Sequence, residues 1–492
     1  MSDVVIVGYG PAAQYLVERL RHEGYGGEIT VIDADGRAGY HRALLTSVLG
    51  GELEPEAITV PRAGPGVRLR PGVMVERIDT RRRLVHTRTT GTGTPERGTL
   101  GYGHLVLATG ARPRVPAIPG LRAATGELAS GVTTLRTLDD CLRVRGERVA
   151  LLGAGVLGVE SALALARRGC RVSLVHRHPY PMNRQLDPAA GELLADRLRE
   201  CGIELLADRQ AVAYRDGHLV LDGGTRVPAA FLVLCTGVVP VTDPARQAGL
   251  ATRGGVLVDD RLRTSDPHIS ALGDCAEHAS GMPAQLGPAR DQAASLAAVL
   301  AGRHARYRGS RVLTRLKARE VDVACLGAGT AAVDPVAVPG CGAGGELVTL
   351  ADRARRRYAS MTLRDDRVAG AVLLGLPRAI ATVTQLYDDR RPVPSDRLGV
   401  LLGTGTADTE STVDLPDDAV VCRCSVVTKR ALIEAWHEGA RTVPELAEAT
   451  RATSGCGSCT DEVRRICEAQ QGTDVAVARP PAGSAQQRHA GV

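Results

Sequence analysis

Apolar runs and helical repeats alternate along most of this chain, and one succession occurs twice. Asp3–Val7 is a short strand-like run, apolar without a break from Val4, as in a strand buried on both faces. A glycine-rich turn follows, then a helical pattern to about Glu23, then a second strand-like run from Glu28 to Asp33. The order returns with the run Arg148–Leu152, another glycine turn, a helix and the run Arg171–Val175. Strands alternating with helices predict parallel sheets and an α/β fold. The pattern then changes. Gly403–Thr412 is small and polar and reads as a linker. Helical stretches follow at about Lys429–Glu438 and Val443–Thr450, with Thr442 as a plausible N-cap. From about Gln471 the composition is that of a disordered tail.

Length and composition narrow the class. The 492 residues suggest three or four domains of about 100–200 residues each. Sixty-one basic against fifty-five acidic residues leave only +6, with no basic block, and aromatic residues are scarce. Neither feature suits nucleic-acid recognition. Only two of the basic residues are lysines, Lys317 and Lys429. No apolar stretch reaches the roughly 18 residues a membrane helix needs, and the opening residues carry no secretory leader, so no membrane association and a cytoplasmic location are expected. Twelve cysteines are then buried thiols or metal ligands rather than disulfides. Five of them fall between Cys422 and Cys467 and mark a separate C-terminal module.

The two glycine turns carry candidate chemistry. Gly8-Tyr9-Gly10-Pro11-Ala12-Ala13 fits G-x-G-x-x-A between a strand and a helix. Gly8 permits the tight turn, Gly10 lets a pyrophosphate approach the backbone, and Ala13 keeps helix and strand close. The helix N-terminus favours the anion, and an acid at the end of the second strand can hold a ribose hydroxyl. Asp33 and Asp35 compete for that role, and spacing does not choose between them. The second turn, Gly153-Ala154-Gly155-Val156-Leu157-Gly158, is followed by a strand ending in His176-Arg177 with no acid. An acid there would favour NAD, whereas cations would accommodate the 2′-phosphate of NADP, so the nicotinamide cofactor stays open between the two. Two such units point to a flavin and a nicotinamide, with hydride passing between them.

Further motifs carry a family resemblance. Thr109-Gly110, in Leu105–Pro113, resembles the strand-turn of two-dinucleotide flavoproteins of the pyridine nucleotide-disulfide oxidoreductase type, and Gly237, in Leu234–Pro240, its counterpart. Arg263–Ala276 resembles that family's second flavin motif. The resemblance implies that Gly273 forms its turn and that Asp274 binds the flavin ribitol. No cysteine precedes Cys141, which excludes the redox dithiol of the disulfide reductases. Tyr40–Ser47, with Arg42, instead resembles the flavin-facing segment of nitrite reductase large subunits, as does Pro181–Asp187. Family members often place a Glu near the nicotinamide, which makes Glu160 the candidate catalytic side chain.

Cys422-x-Cys424 and Cys456-x-x-Cys459, 31 residues apart, can enclose one tetrahedral metal or a small iron–sulfur cluster. The pattern resembles the bacterioferritin-associated-ferredoxin-like (BFD-like) 2Fe-2S domain. Cys467 lies outside the spacing and reads as a helix-face thiol, and Cys275 as a small buried residue. The resemblance implies an FAD domain (1–115 and 241–310), an NAD(P) domain (116–240), a small α/β cap (311–400) at the dimer-forming end, compatible with a homodimer, a linker (401–419), a helical 2Fe-2S domain (420–470) and a tail (471–492). It further implies electron flow from NAD(P)H through FAD to the cluster and on to a separate catalytic subunit of assimilatory nitrate reductase. A diaphorase component of a split nitrite reductase and an electron donor for iron release from a storage protein are the alternatives. No cysteine set remains for a 4Fe-4S cluster, so the chain is not expected to reduce nitrite by itself.

Overall fold

The computed structural model describes residues 3–37, 39–59, 66–90, 94–282, 285–327, 345–403, 417–422, 427–453 and 459–477. They form two compact units, Met1–Gly405 and Thr406–Val492.

The first unit holds two parallel sheets of the expected kind. One has five strands in the order Ile269–Ala271, His104–Leu107, Val4–Val7, Ile29–Asp33, Val67–Pro71, all parallel. Val4, Val5, Ile6 and Val7 are all buried, because helices cover one face of the sheet and the strands Val73–Asp79 and Leu84–Thr89 the other, so the run shows no polar alternation. The helix Pro11–His22 follows and buries Ala13, Leu16, Val17 and Leu20, a spacing that lies along one face. Ile269–Ala271 pairs with His104–Leu107, so chain from both sides of the second repeat contributes strands to this sheet.

The second sheet runs Glu204–Leu206, Arg171–Val175, Arg148–Leu152, Phe231–Leu234, Val132–Thr134 and is also parallel. Two short crossing segments, Ala111–Pro113 and Val238–Pro240, pair antiparallel with each other. They follow the two strand-turn motifs directly, which is why those motifs look alike. Beyond them, Leu313–Arg315, Val323–Leu326, Arg367–Leu374, Arg357–Arg364 and Glu346–Asp352 form an antiparallel sheet covered by the helix Pro377–Asp389. This is the small α/β cap.

In the second unit a short ladder, Val420–Cys422 with Val427–Thr428, precedes helices Lys429–His437, Val443–Thr450 and Thr460–Val477. Thr442 caps the middle helix in a reciprocal capping box with Glu445. The last helix runs on through residues 471–477, into the stretch expected to be a tail. Trp436 is fully buried at the centre, beside Leu432, Leu446, Val463 and Ile466. Cys467 also lies in this core, on the inward face of the last helix, its thiol donating to the Arg441 carbonyl at 3.4 Å.

Candidate functional site

At the first turn, Gly8 has φ +98°, and a Cβ there would lie 2.4 Å from the Ala108 carbonyl oxygen. Only glycine fits. Gly10 caps the helix Pro11–His22, and a Cβ on it would meet nothing within 4 Å. The space above the helix N-terminus is therefore open to an anion. Ala13 is fully buried against the strand. Asp33 accepts the Tyr9 N–H at 3.1 Å with one carboxylate oxygen, while burial pushes its carboxyl above the ordinary value. Asp35 instead accepts from the Arg37 N–H and the Tyr40 hydroxyl. Arg42 lies over the Tyr40 ring and acts electrostatically on Asp33. Gly8→Ala should be purified with little flavin, because the change combines a left-handed backbone costing about 1–3 kcal/mol with a clash against fixed backbone. The flavin-to-protein absorbance ratio reads this out, and a full complement would show that the turn can give way.

The second flavin-type motif gathers nearby. Gly273 has φ +76°, and its N–H donates to the buried Gln292 side chain at 2.7 Å. Thr109 donates to the Val241 carbonyl, and Gly110 adopts φ +67°. Asp274 pairs with Arg136 at 2.7 Å, both half-buried. Arg136 Nε is buried without a hydrogen-bond partner, so this cation retains an unmet donor beside the motif. Asp140 holds the Arg136 loop by accepting from Arg136 N, Thr137 N and Thr134 Oγ1. Sequence reasoning missed Arg136 and Gln292. The Thr137–Asp140 spacing is a local capping-box signal that went unread, and no local signal marks the pairing of Arg136 with Asp274 across 138 residues. Cys275 is fully buried, with its thiol directed at the Leu107 and Leu272 carbonyls.

The second turn repeats the first. Gly153 has φ +107°, and a Cβ would lie 2.5 Å from the Cys235 carbonyl oxygen; one on Gly158 would lie 1.8 Å from that of Gly153. Gly155 caps Val156–Arg167 and again faces open space. Gly237, at φ +92°, follows the strand Phe231–Leu234. His176 departs from expectation. It was read as a cation for a 2′-phosphate, or else as a solvated base, yet it is buried and hydrogen-bonded at both nitrogens. Nδ1 accepts from the Ala154 N–H at 3.2 Å, and Nε2 faces Asn183 Oδ1 at 3.2 Å. Burial pushes its pKa down to about 4, so the ring is neutral. Only Arg177 is exposed as expected. His104 is pushed to about 4 by burial as well. Both histidines have folded values below the unfolded one, so their stabilisation is present above about pH 6.5 and is lost as pH falls towards 4. Unfolding free energy should decline through that window, by about 1.4 kcal/mol per pH unit per histidine at most, and melting temperature with it. A flat profile from pH 6.5 to 4 in thermal melts would rule this out.

Glu160, on the helix after the second turn, is buried, and both its oxygens meet Lys317. Oε1 accepts the Lys317 backbone N–H at 2.9 Å, and Oε2 lies 3.2 Å from Nζ. The same ammonium donates to the Ala43 carbonyl at 2.7 Å, in the segment that carries Arg42.

In the second unit, Cys422 and Cys459 are buried in one apolar core. The Thr453 N–H points at Cys459 Sγ at 3.3 Å, the contact that stabilises a sulfur bearing negative charge. Cys424 and Cys456 lie outside the described residues. The donor set present fits a thiolate-bound group.

The family model described as pyridine nucleotide-disulphide oxidoreductase matches residues 2–296. The chain belongs to this family. A second model, the BFD-like [2Fe-2S] binding domain, matches residues 420–469. FAD and NAD(P)H are thus the cofactors of the first unit and a 2Fe-2S cluster that of the second, and the open glycine turns and buried cysteines fit them. Among curated proteins, the chain is 29% identical over 474 residues to the assimilatory nitrate reductase electron transfer subunit of Bacillus subtilis, covering 93% of this chain and 58% of that protein. It is 28% identical to the nitrite reductase [NAD(P)H] of the same organism, covering 96% and 58%. The chain thus spans under three fifths of the length of these relatives. A crystal structure of a ferredoxin reductase from Rhodopseudomonas palustris superposes with a TM-score of 0.68 at 27% identity, covering 80% of this chain and 95% of that one. Among the described residues no helix is long and apolar enough to cross a membrane.

Proposed function

We propose that this chain is the NAD(P)H-oxidising electron-transfer component of an assimilatory nitrate reductase, delivering electrons to a separate catalytic subunit. One observation carries the reading: both modules, in this order, lie within the similarity to the Bacillus subtilis electron transfer subunit. When bound, flavin and cluster together convert a two-electron donor into a one-electron supply.

The residues supply positioning. Gly8 and Gly10 admit the FAD pyrophosphate to the backbone, Ala13 packs the helix close, and Gly153, Gly155 and Gly158 do the same for the nicotinamide dinucleotide. Asp33 is the ribose acid, because it sits at the turn with one oxygen still available, whereas Asp35 is held away by Arg37 and Tyr40. Asp274 and Arg136 hold the polar end of the flavin between the Thr109-Gly110 and Gly273 turns. Glu160 acts as a positioning group through Lys317. Cys422, Cys424, Cys456 and Cys459 are the cluster ligands. A homodimer through the cap belongs to the same reading, supported by the exposed Leu347, Leu398 and Leu402, and a cytoplasmic location suits its thiolate ligands.

The test is an anaerobic absorbance titration of the full chain with NADH and NADPH, with iron assayed on the same sample. Flavin and iron–sulfur bands should both bleach, and the chain alone should turn over neither nitrate nor nitrite. Nitrate reduction by the purified chain would sink the proposal. A diaphorase role in a split nitrite reductase is the second reading, favoured by the similarity to the nitrite reductase. Addition of a siroheme subunit, rather than a molybdenum subunit, would then restore turnover.

A further inference from the structure

The two nucleotide turns of this chain can be compared with each other, and they differ at one decisive place. At the first nucleotide turn, the residue ending the second strand is Asp33. One of its oxygens takes the Tyr9 N–H of the glycine turn, and the other remains for a ribose diol. At the second nucleotide turn, the residue in the same place is His176. Its Nδ1 takes the Ala154 N–H of the turn, just as Asp33 takes that of Tyr9. An Nδ1 that accepts leaves the proton on Nε2, which is directed at Asn183 Oδ1. Both nitrogens are thereby used, and the buried ring offers no lone pair to a ribose hydroxyl. The interaction that selects the unphosphorylated ribose is missing from this site.

What surrounds the place instead is cationic. Arg177 follows directly and is exposed; its guanidinium engages the neighbouring His178 ring at 3.2 Å. Arg184 lies on the turn Pro181–Leu186, which is pinned against the glycine turn by Met182 N to the Ala154 carbonyl at 2.8 Å and by Asn183 to His176. Arg184 is exposed too, and among the described residues neither guanidinium has a carboxylate within ion-pair distance. Many arginines of this chain are paired with acids, for example Arg167 with Glu52 and Glu320, and Arg356 with Asp196 and Glu200. Two unpaired guanidiniums flanking a ribose site without an acid form a receptor for a dianionic phosphate, which a guanidinium binds by charge-assisted, bidentate contacts.

We infer that the second dinucleotide site selects the 2′-phosphorylated nucleotide, with Arg177 and Arg184 as its specificity-determining residues, so that NADPH is the physiological donor. This inference rests on the reading of Gly153–Gly158 as the nicotinamide dinucleotide turn.

The test is a binding measurement, independent of turnover. Titration calorimetry of the full-length holoprotein with 2′,5′-ADP and with 5′-AMP should show the former binding tighter by about tenfold or more, a margin that shrinks as salt rises. Arg177→Glu should remove that margin while flavin content and melting temperature stay at wild-type values, since the side chain is exposed. Arg184→Gln should reduce it in part. Equal binding of the two nucleotides, or tighter binding of 5′-AMP, would overturn the inference while leaving the reductase reading intact. Binding of neither, together with no flavin reduction by NADH or NADPH, would overturn the dinucleotide reading as well.

Discussion

Replacing Cys459 with serine should separate the two halves of the electron path. Iron content should fall close to zero, while NAD(P)H still bleaches the flavin at nearly the wild-type rate. Electron delivery to a one-electron protein acceptor should fall about 100-fold or more, because the serine hydroxyl is a poor substitute for a thiolate on iron. The expectation follows from where Cys459 sits. Its sulfur is buried in the core that also holds Cys422 and Trp436, and it receives the Thr453 N–H at 3.3 Å. A backbone donor aimed at sulfur stabilises negative charge there, which a neutral structural thiol does not need. The glycine turns proposed to hold both dinucleotides belong to the other compact unit, so flavin reduction should not depend on this core. Iron assay, stopped-flow flavin bleaching and reduction of a protein acceptor give three independent readings. Retained iron with full onward transfer would remove Cys459 from the ligand set. Equal loss of flavin reduction would show that the cluster is not downstream of the flavin.

The glycine turns were legible because their requirement is local. A strand, a residue with positive φ and a helix N-terminus follow one another in the chain, and the stereochemistry that needs Gly8 and Gly153 acts within a few residues and one neighbouring strand. The helix Val443–Thr450 was legible for the same reason, its capping box lying within the segment. His176 was misread because residue type suggests charge, while its state is set by burial and by Ala154 and Asn183, neither of which periodicity reveals. Cys467 was read only as a helix-face thiol, because cluster spacing says nothing about which face of Thr460–Val477 packs inward. Arg136 escaped, and so did the pairing of Lys317. Their partners, Asp274 and Glu160, are distant in sequence and converge only when the family fold brings strand ends together. Ion pairs of that range carry no pattern in a chain with so many arginines. Lys317 alone left a trace, as one of two lysines retained among sixty-one basic residues.

That lysine leads to the second large effect. Lys317→Met should destabilise the first unit by about 2–4 kcal/mol and slow flavin reduction by roughly 10–100-fold. Glu160 has only 2% of its side chain exposed, and Lys317 has 22%. Removing the ammonium leaves the buried carboxylate without its cation, a loss at the lower part of the range for broken buried pairs because Lys317 retains some contact with water. The kinetic effect has a separate cause. One ammonium joins Glu160 on the helix after the nicotinamide turn to the Ala43 carbonyl in the segment beside Tyr40 and Arg42, and it comes from the cap. It thereby holds two cofactor-binding elements in register, and hydride transfer is sensitive to displacements of about 1 Å. Glu160→Gln should cost less, since the amide oxygen can still accept from Lys317. The double variant Glu160→Gln with Lys317→Met should recover part of the stability lost in Lys317→Met, because it leaves no unpaired buried charge. Chemical denaturation measures the first effect and anaerobic stopped-flow the second. The slowed rate should persist in the double variant even as stability returns, since the tie to Ala43 is still missing. A rate that recovers together with stability would show that the pair contributes to folding alone.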